Sequence, residues 1–213
     1  MQPQSQVAAP AAAPLYKPPL RGAPGGRIGG GTRGIGGDKI ALSVLAPDHS
    51  GLTVSEQPSL YWFISTATSL PVEVALMDPR AIEPLLEARL TGPVQAGLQR
   101  IDLARYGIRL APGVPYRWYV AVVPDPARRS KDILAGGTIE RVAPPAELHE
   151  KLAGAPQQRL PLLYAEAGLW YDSLAAFSAL IEAAPGDEGL LRQRATLLAQ
   201  IGLGPEGQDL RLR

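Results

Sequence analysis

Seven short runs of β-forming residues between positions 40 and 142 constrain the fold of this 213-residue chain most strongly. Turn residues separate the runs at regular intervals, and this spacing is typical of a β-sandwich or barrel. The runs are 40–46, 59–65, 71–77, 85–90, 98–103, 116–123 and 133–142. The pattern predicts a β-sandwich domain over residues 40–143, with about seven antiparallel strands and with Trp62 and Tyr116 in its core.

Residues 110–116 (LAPGVPY) resemble the turn into the sixth strand of fibronectin type III domains. In that family the Tyr hydroxyl forms a hydrogen bond back to the turn. Trp62 stands in the second run, where the same family keeps a core Trp. The resemblance implies a fibronectin-III- or immunoglobulin-like sandwich.

The hydrophobic period becomes helical after residue 145. Leu174, Phe177 and Ile181 recur at i, i+3 and i+7, which places them on one apolar helix face. The period predicts a helical region over residues 144–213, with helices at 146–153, 160–167, 171–184 and 188–202.

The spacing of Gly168, Phe177 and Pro185 resembles the second half of a tetratricopeptide repeat. Pro161 departs from that repeat, because it falls where the first helix needs a small residue. One partial copy cannot build a solenoid, so we expect a small α-helical appendage that packs on itself or on the sandwich.

Residues 1–39 form a proline- and glycine-rich segment with a net charge of +4. Nine glycines lie within residues 22–37, which leaves too little apolar surface to offset the entropy of ordering the segment alone. We therefore expect a basic arm, and we expect deletion of residues 1–38 to leave the melting of the sandwich nearly unchanged.

The opening sequence MQPQSQVAAPAAAPL is similar to the Ala/Pro/Gln-rich stretch that often follows a removed signal peptide. The chain has no uncharged apolar run approaching about 18 residues, the length of a membrane-spanning helix. The sequence predicts an exported protein, periplasmic or extracellular, whose signal peptide has been removed and which has no transmembrane segment.

The arm supplies one set of candidate partner-binding residues, in which arginines recur every six positions: Arg21, Arg27, Gly30, Gly31 and Arg33. These residues could bind a protein partner, an anionic polysaccharide or the acidic groups of the same chain. Nucleic acid is disfavoured, because single-strand binding normally adds stacking aromatic residues. Residues 29–34 (GGGTRG) match G-x-G-x-x-G but lack the preceding strand and the following helix, so we expect no nucleotide cofactor.

Two further clusters are candidates outside the arm. Trp170 and Tyr171 are adjacent at a helix–helix turn, where they could anchor a partner or pack locally. Four charged residues in one loop could hold a ligand or form the ion pairs that order a long turn. They are Asp125, Arg128, Arg129 and Asp132.

Catalytic and metal chemistry have little support in the sequence. The chain has no cysteine, which excludes thiol catalysis and cysteine-ligated metal sites. Its two histidines, His49 and His149, are interpreted as surface residues, and no pair of carboxylates is selected by spacing. The sequence predicts no enzyme activity, no cofactor and no metal.

The whole chain resembles the bacterial domain-of-unknown-function family 928. The resemblance runs from about residue 17 to residue 202 and is carried by segments 22–34, 42–53, 58–65, 112–132, 136–142 and 164–177. It implies an exported bacterial protein and assigns no catalytic residue. Early-strand cysteines that members of that family often contain are missing here.

These observations favour a non-enzymatic exported protein that mediates protein–protein interaction or assembly at the bacterial cell surface or in the periplasm. In this interpretation the arm docks on a neighbouring copy or on another protein. The alternative is a module that binds carbohydrate or an anionic polymer through the basic arm, and a hydrolase is the least favoured class.

Overall fold

The protein combines two β-sheets, built mostly of antiparallel strands, with four C-terminal helices. The computed structural model describes residues 13–19, 26–29, 32–35, 38–90 and 92–203. None of the helices in this described part of the chain is both long enough and apolar enough to cross a membrane.

The described residues contain ten strands, and each of the seven predicted runs coincides with one of them. The other three, β1, β2 and β4, are short. The strands are β1 (Ile28–Gly29), β2 (Thr32–Ile35), β3 (Asp38–Val44), β4 (Gly51–Thr53), β5 (Ser59–Ile64), β6 (Val72–Met77), β7 (Leu86–Leu90), β8 (Gly97–Asp102), β9 (Pro115–Val122) and β10 (Ile133–Arg141).

The larger sheet has the strand order β1-β10-β9-β6-β7, and the smaller sheet has the order β2-β3-β5-β8. Neighbouring strands are antiparallel within both orders. Strand β4 is the exception, because it adds to the edge of β10 in parallel, with Gly51 opposite Ile139.

The core lies against one face of the larger sheet, as period-2 alternation requires. In β6 the side chains of Val72, Val74 and Leu76 are buried while the intervening residues are partly exposed. Trp62 of β5 and Tyr116 of β9 are both buried, which confirms their predicted place in the core.

The four predicted helices are all present: α1 (Ala146–Ala153), α2 (Leu160–Glu166), α3 (Trp170–Ala183) and α4 (Glu188–Ala199). Helix α3 buries the predicted face of Leu174, Phe177 and Ile181, and it packs against β4 and β5. Strand β5 of the smaller sheet buries Tyr61 as well as Trp62, because α3 packs on its other side. The helical residues therefore extend the hydrophobic core of the sheets and do not form a separate cluster.

The sequence predicted that residues 1–39 form an arm separate from the fold. In the described parts of this segment the structure shows the opposite, because they are bonded to the sheets and the helices. Strand β1 pairs with β10, and β2 pairs with β3. Further upstream, the backbone N–H of Lys17 donates to the carbonyl of Ala165 in α2 at 3.1 Å. These parts of the segment are integral to both sheets and to the helical region, because backbone hydrogen bonds tie them to each.

Candidate interaction surface

Trp170 and Tyr171 are completely enclosed by the chain itself. The indole Nε1 of Trp170 donates to the carbonyl of Leu45 at 2.8 Å, and the Tyr171 hydroxyl donates to the carbonyl of Thr138 at 3.1 Å. Because both side chains are buried, they cannot anchor a partner, and this part of the prediction is wrong. They dock helix α3 onto the sheets.

Tyr171 also completes the edge of strand β10. Strand β1 covers this edge at residues 135–136 and β4 covers it at residues 139–141, which leaves Gly137 and Thr138 between them. The Tyr171 hydroxyl bonds the Thr138 carbonyl in that gap, and its ring lies so close to Gly51 that a Cβ there would meet it at 2.6 Å. The edge of the larger sheet is thereby closed on this side.

Arg27 is engaged with its own chain. Its guanidinium lies 3.5 Å from the carboxylate of Asp48 and 3.4 Å from the carbonyl of Ile201. Gly29 has a φ of +73°, and a Cβ there would lie 2.1 Å from the carbonyl oxygen of Leu134, so only glycine permits this approach to β10.

The remaining arm candidates fall largely outside this description. Arg21, Gly30 and Gly31 lie outside the residues that the structure describes, and Arg33 is placed only by its backbone, which pairs with Ile40. Arg27 is the arm arginine whose side chain the structure describes, and it pairs with an acidic group of the same chain. This contact favours the third of the three alternatives for the arm.

His49 is not the free surface residue that the sequence suggested. Its Nε2 lies 2.8 Å from the hydroxyl of Tyr16, and the two rings stack with their centroids 5.9 Å apart. Desolvation lowers the pKa of His49, against the opposing charge of Asp48. Because the imidazole is already bonded and stacked, it is a structural contact of the N-terminal segment. His149 is exposed on α1, as expected.

The charged loop forms exposed ion pairs. Arg128 bonds Asp125, while Arg129 bonds both Asp132 and Glu73 of β6, each at 2.7 Å. These contacts order the turn between β9 and β10, which agrees with the structural interpretation of the cluster. They also fix the loop at one border of the outer face of the larger sheet.

That outer face carries an apolar patch that the individual sequence motifs did not reveal. Strand register places Ile28, Gly136, Tyr119 and Ala75 side by side in one row across four strands. A second row, from Leu134 through Ala121, lies next to it, and Met77 lies on the other side. We call these residues the apolar sheet face: Ile28, Ala75, Met77, Tyr119, Ala121, Gly136 and Leu134.

The apolar sheet face is exposed at two of its residues, Ile28 and Leu134, while Ala121 and Gly136 are buried and the other three are partly exposed. Ile28 is 45% exposed and Leu134 is 44% exposed, although both are aliphatic residues on sheet strands. The Tyr119 ring lies against Gly136, where a Cβ would approach it to 2.6 Å. The helices pack on β4 and β5 instead of on this side.

Charged residues of both signs border the apolar sheet face. Glu73 and Arg89 are opposite each other beyond Ala121, Glu87 ends the row that contains Tyr119, and Arg117 lies beside Met77. An apolar centre with a mixed polar rim is the usual anatomy of a protein–protein interface. The sequence feature that could have indicated this face is the alternation in β9, where Trp118 points into the core and the next residue, Tyr119, points outward.

Asp172, at the start of α3, is a carboxylate whose pKa departs from its ordinary value. It is half-buried at the start of α3, where its Oδ2 accepts from the Val54 N–H at 3.1 Å. Burial raises its pKa to about 6. The bond joins α3 to the residue after β4, and the described residues contain no group of three or more metal-ligating side chains around it or elsewhere.

Comparison with known proteins identifies a family. No curated protein and no solved structure matches the chain. Residues 28–209 match the model of the family described as Domain of Unknown Function (DUF928). This match spans both sheets and all four helices. The chain therefore belongs to the DUF928 family.

Proposed function

We propose that the protein is a non-enzymatic assembly domain that associates with a second copy of itself through the apolar sheet face. The single observation that carries this proposal is the solvent exposure of Ile28 and Leu134 on a patch without charged residues at its centre. Contiguous exposed apolar surface of this kind marks interaction sites in soluble proteins.

The rim favours a second copy over an oppositely charged partner. Arg89 and Arg117 balance Glu73 and Glu87 around the patch. A surface with both signs can pair with its own copy through a two-fold axis, whereas a rim of one sign would repel it.

The finer identity of the fold is part of the proposal: a fibronectin-III- or immunoglobulin-like sandwich. Counted from β3, the first, second and fifth major strands share the smaller sheet, and the third, fourth, sixth and seventh share the larger one. In constant-type immunoglobulin sandwiches the third, sixth and seventh strands likewise share a sheet, but the fourth lies with the first, second and fifth, so β7 departs from that arrangement. The Tyr116 hydroxyl accepts from the Ala111 N–H at 3.1 Å, which is the bond back to the turn that the resemblance implied.

We place this assembly outside the cytoplasm, in the periplasm or at the cell surface. The support is the Ala/Pro/Gln-rich opening of the chain. Fractionation of cells that express the natural gene tests this location, and recovery in the cytoplasm would contradict it.

The alternative is that the basic arm binds an anionic polymer. The contacts that Arg27 makes within the chain argue against it. The described guanidinium of Arg27 faces Asp48 and the Ile201 carbonyl, so binding a polymer there would have to break these contacts. A hydrolase has no support from His49, whose imidazole is held by Tyr16.

Sedimentation equilibrium of the full chain tests the assembly. We expect self-association, and we expect Ile28→Ser with Leu134→Ser to cost about 2 kcal/mol of association energy, or roughly thirtyfold in Kd. The matched control is Ile82→Ser, because Ile82 is 98% exposed in the loop between β6 and β7 and lies outside the apolar sheet face. A monomeric wild-type chain, or an equal effect of the control, would overturn the proposal.

A further inference from the structure

A second surface lies along the edge of strand β8, on the opposite border of the molecule from β10. A groove of about 780 Å³ is lined by five consecutive residues, 98–102, which belong to both faces of the strand. The groove therefore follows the strand edge. In the described part of the chain, β5 is the one strand that pairs with β8.

The backbone of β8 offers hydrogen-bonding groups to this groove. The Leu103 N–H donates to the Pro58 carbonyl, so the backbone groups of the odd-numbered residues of β8 point towards β5. Because backbone groups alternate in direction along an antiparallel strand, those of Leu98, Arg100 and Asp102 point away from β5. This edge can accept one more strand.

The two walls of the groove differ in chemistry. On the side between the sheets, Ile101 and Leu90 provide apolar contacts. On the helix side, Arg100 is held by Glu182 of α3 at 2.7 Å and by Asp102 at 3.1 Å. Glu182 keeps 41% of its side chain exposed, so it can take another cationic partner. A strand that fits must alternate apolar and charged residues.

The chain carries such a sequence beyond the last described residue. Residues 209–213 read Asp-Leu-Arg-Leu-Arg, which is strict period-2 alternation. We propose that residues 209–213 of a second copy add to β8 as an extra strand, with Leu210 and Leu212 on the side of Ile101 and with Arg211 and Arg213 on the side of Glu182.

Reach favours a second copy as the source. Helix α4 starts just after Pro185, which lines the groove, and it carries the chain away over twelve residues, or about 18 Å. Its end is fixed far from the groove, where Gln200 accepts from the Tyr16 N–H. The six residue steps from Leu203 to Asp209 span at most about 22 Å when fully extended, so the chain would have to run almost straight back to fill its own groove.

This interface is separate from the apolar sheet face, and its test leaves that face unchanged. A fluorescent peptide of residues 204–213 is titrated with the full chain carrying Leu210→Ser and Leu212→Ser, and binding is read by anisotropy. We expect saturable binding, and we expect at least about a tenfold loss when the peptide itself carries the two serines.

The acceptor strand is tested with two substitutions at one position. Arg100→Pro removes the outward N–H, while Arg100→Gln removes the ion pair with Glu182 and keeps that N–H; proline is tolerated at such edge positions. We expect binding to be lost with proline and to be reduced at most a few-fold with glutamine, with the melting of both variants monitored by circular dichroism.

Three outcomes would overturn the proposal. They are no binding of the intact peptide, equal binding of the serine peptide, and undiminished binding to a folded Arg100→Pro chain. Binding to the serine acceptor combined with sedimentation that does not depend on Leu210 and Leu212 would show that the segment fills the groove of its own chain, and this result would also reject the second copy.

Discussion

The indole Nε1 of Trp118 donates a 2.9 Å hydrogen bond to the hydroxyl of Tyr171, which in turn donates to the carbonyl of Thr138. Trp118 belongs to the centre of the larger sheet and Tyr171 to the first turn of α3. Both side chains are fully buried. The relay therefore joins the helical region to the sheet core at a point where water cannot replace a lost partner.

Tyr171→Phe should destabilise the protein by about 2–3 kcal/mol, because it leaves a buried donor on Trp118 and a buried acceptor on Thr138 without this hydroxyl. Tyr164→Phe is the control, since it removes the same hydroxyl from a tyrosine of α2 that is only partly buried. Urea unfolding of the two variants measures the difference. Equal losses would show that the relay contributes nothing.

The three tryptophans should respond differently to one substitution. All are fully buried, but Trp118 and Trp170 donate hydrogen bonds while Nε1 of Trp62 has no partner in the described part of the chain. Replacement by Phe removes similar apolar volume at each site. We expect the loss in unfolding free energy at position 62 to be smaller by about 1–2 kcal/mol, and the reverse order would contradict this.

Asp172 should make stability depend on pH between about 4 and 6. Its pKa is raised from 3.8 to about 6 in the fold, so the folded state retains a proton that the unfolded chain has released in this range. Its contribution is therefore fully present below pH 4 and is lost as pH rises through 6, by at most about 3 kcal/mol.

Asp172→Asn removes this titration while its amide oxygen can still accept from Val54. We expect the stability of the variant relative to wild type to increase from pH 4 to pH 6 and to stay constant above the window. Chemical denaturation across this pH series measures it. A flat difference between pH 4 and pH 6 would reject the assignment.

Tyr16→Ala should lower the free energy of unfolding by about 3 kcal/mol, as is usual for truncating a buried aromatic residue. Tyr16 is 7% exposed, and it contacts His49 and the edge of Trp170. The neighbouring Leu15 is 56% exposed, so Leu15→Ala should change stability by no more than about 0.5 kcal/mol.

Deletion of residues 1–38 is expected to be more damaging still, in contrast to the expectation drawn from composition alone. It removes Tyr16, strand β1 and strand β2 together. Thermal melting followed by circular dichroism measures the effect. An unchanged melting temperature would restore the interpretation of residues 1–38 as an arm that is not needed for folding.

Local pattern was enough to predict the strands and helices. The β-forming runs were bounded by turn residues, and the face of Leu174, Phe177 and Ile181 was encoded by spacing within one helix. The burial of Trp62 and the turn ending at Tyr116 were predictable for the same reason. The short strands β1 and β4 were not, because two or three residues hold no period.

The site was less predictable than the fold. The sequence left open whether Trp170 and Tyr171 anchor a partner or pack locally, because whether an aromatic pair faces a partner or a sheet depends on what packs against it. The apolar sheet face joins Ile28 to Tyr119 and Leu134, which come from three separate strands. A local motif cannot show that these residues are neighbours, because strand pairing brings them together from distant parts of the chain.

The sequence by itself therefore determined the seven longer strands and the four helices, the two-part order of strands followed by helices, and the membership of a family. Periodicity and turn chemistry act over a few residues, so they can be seen along the chain. Only the tertiary structure decided that the 1–39 segment is tied to the sheets and helices and that Tyr171 closes the edge of β10. These are contacts between residues far apart in sequence, and their free energy exists only after the sheets and helices have come together.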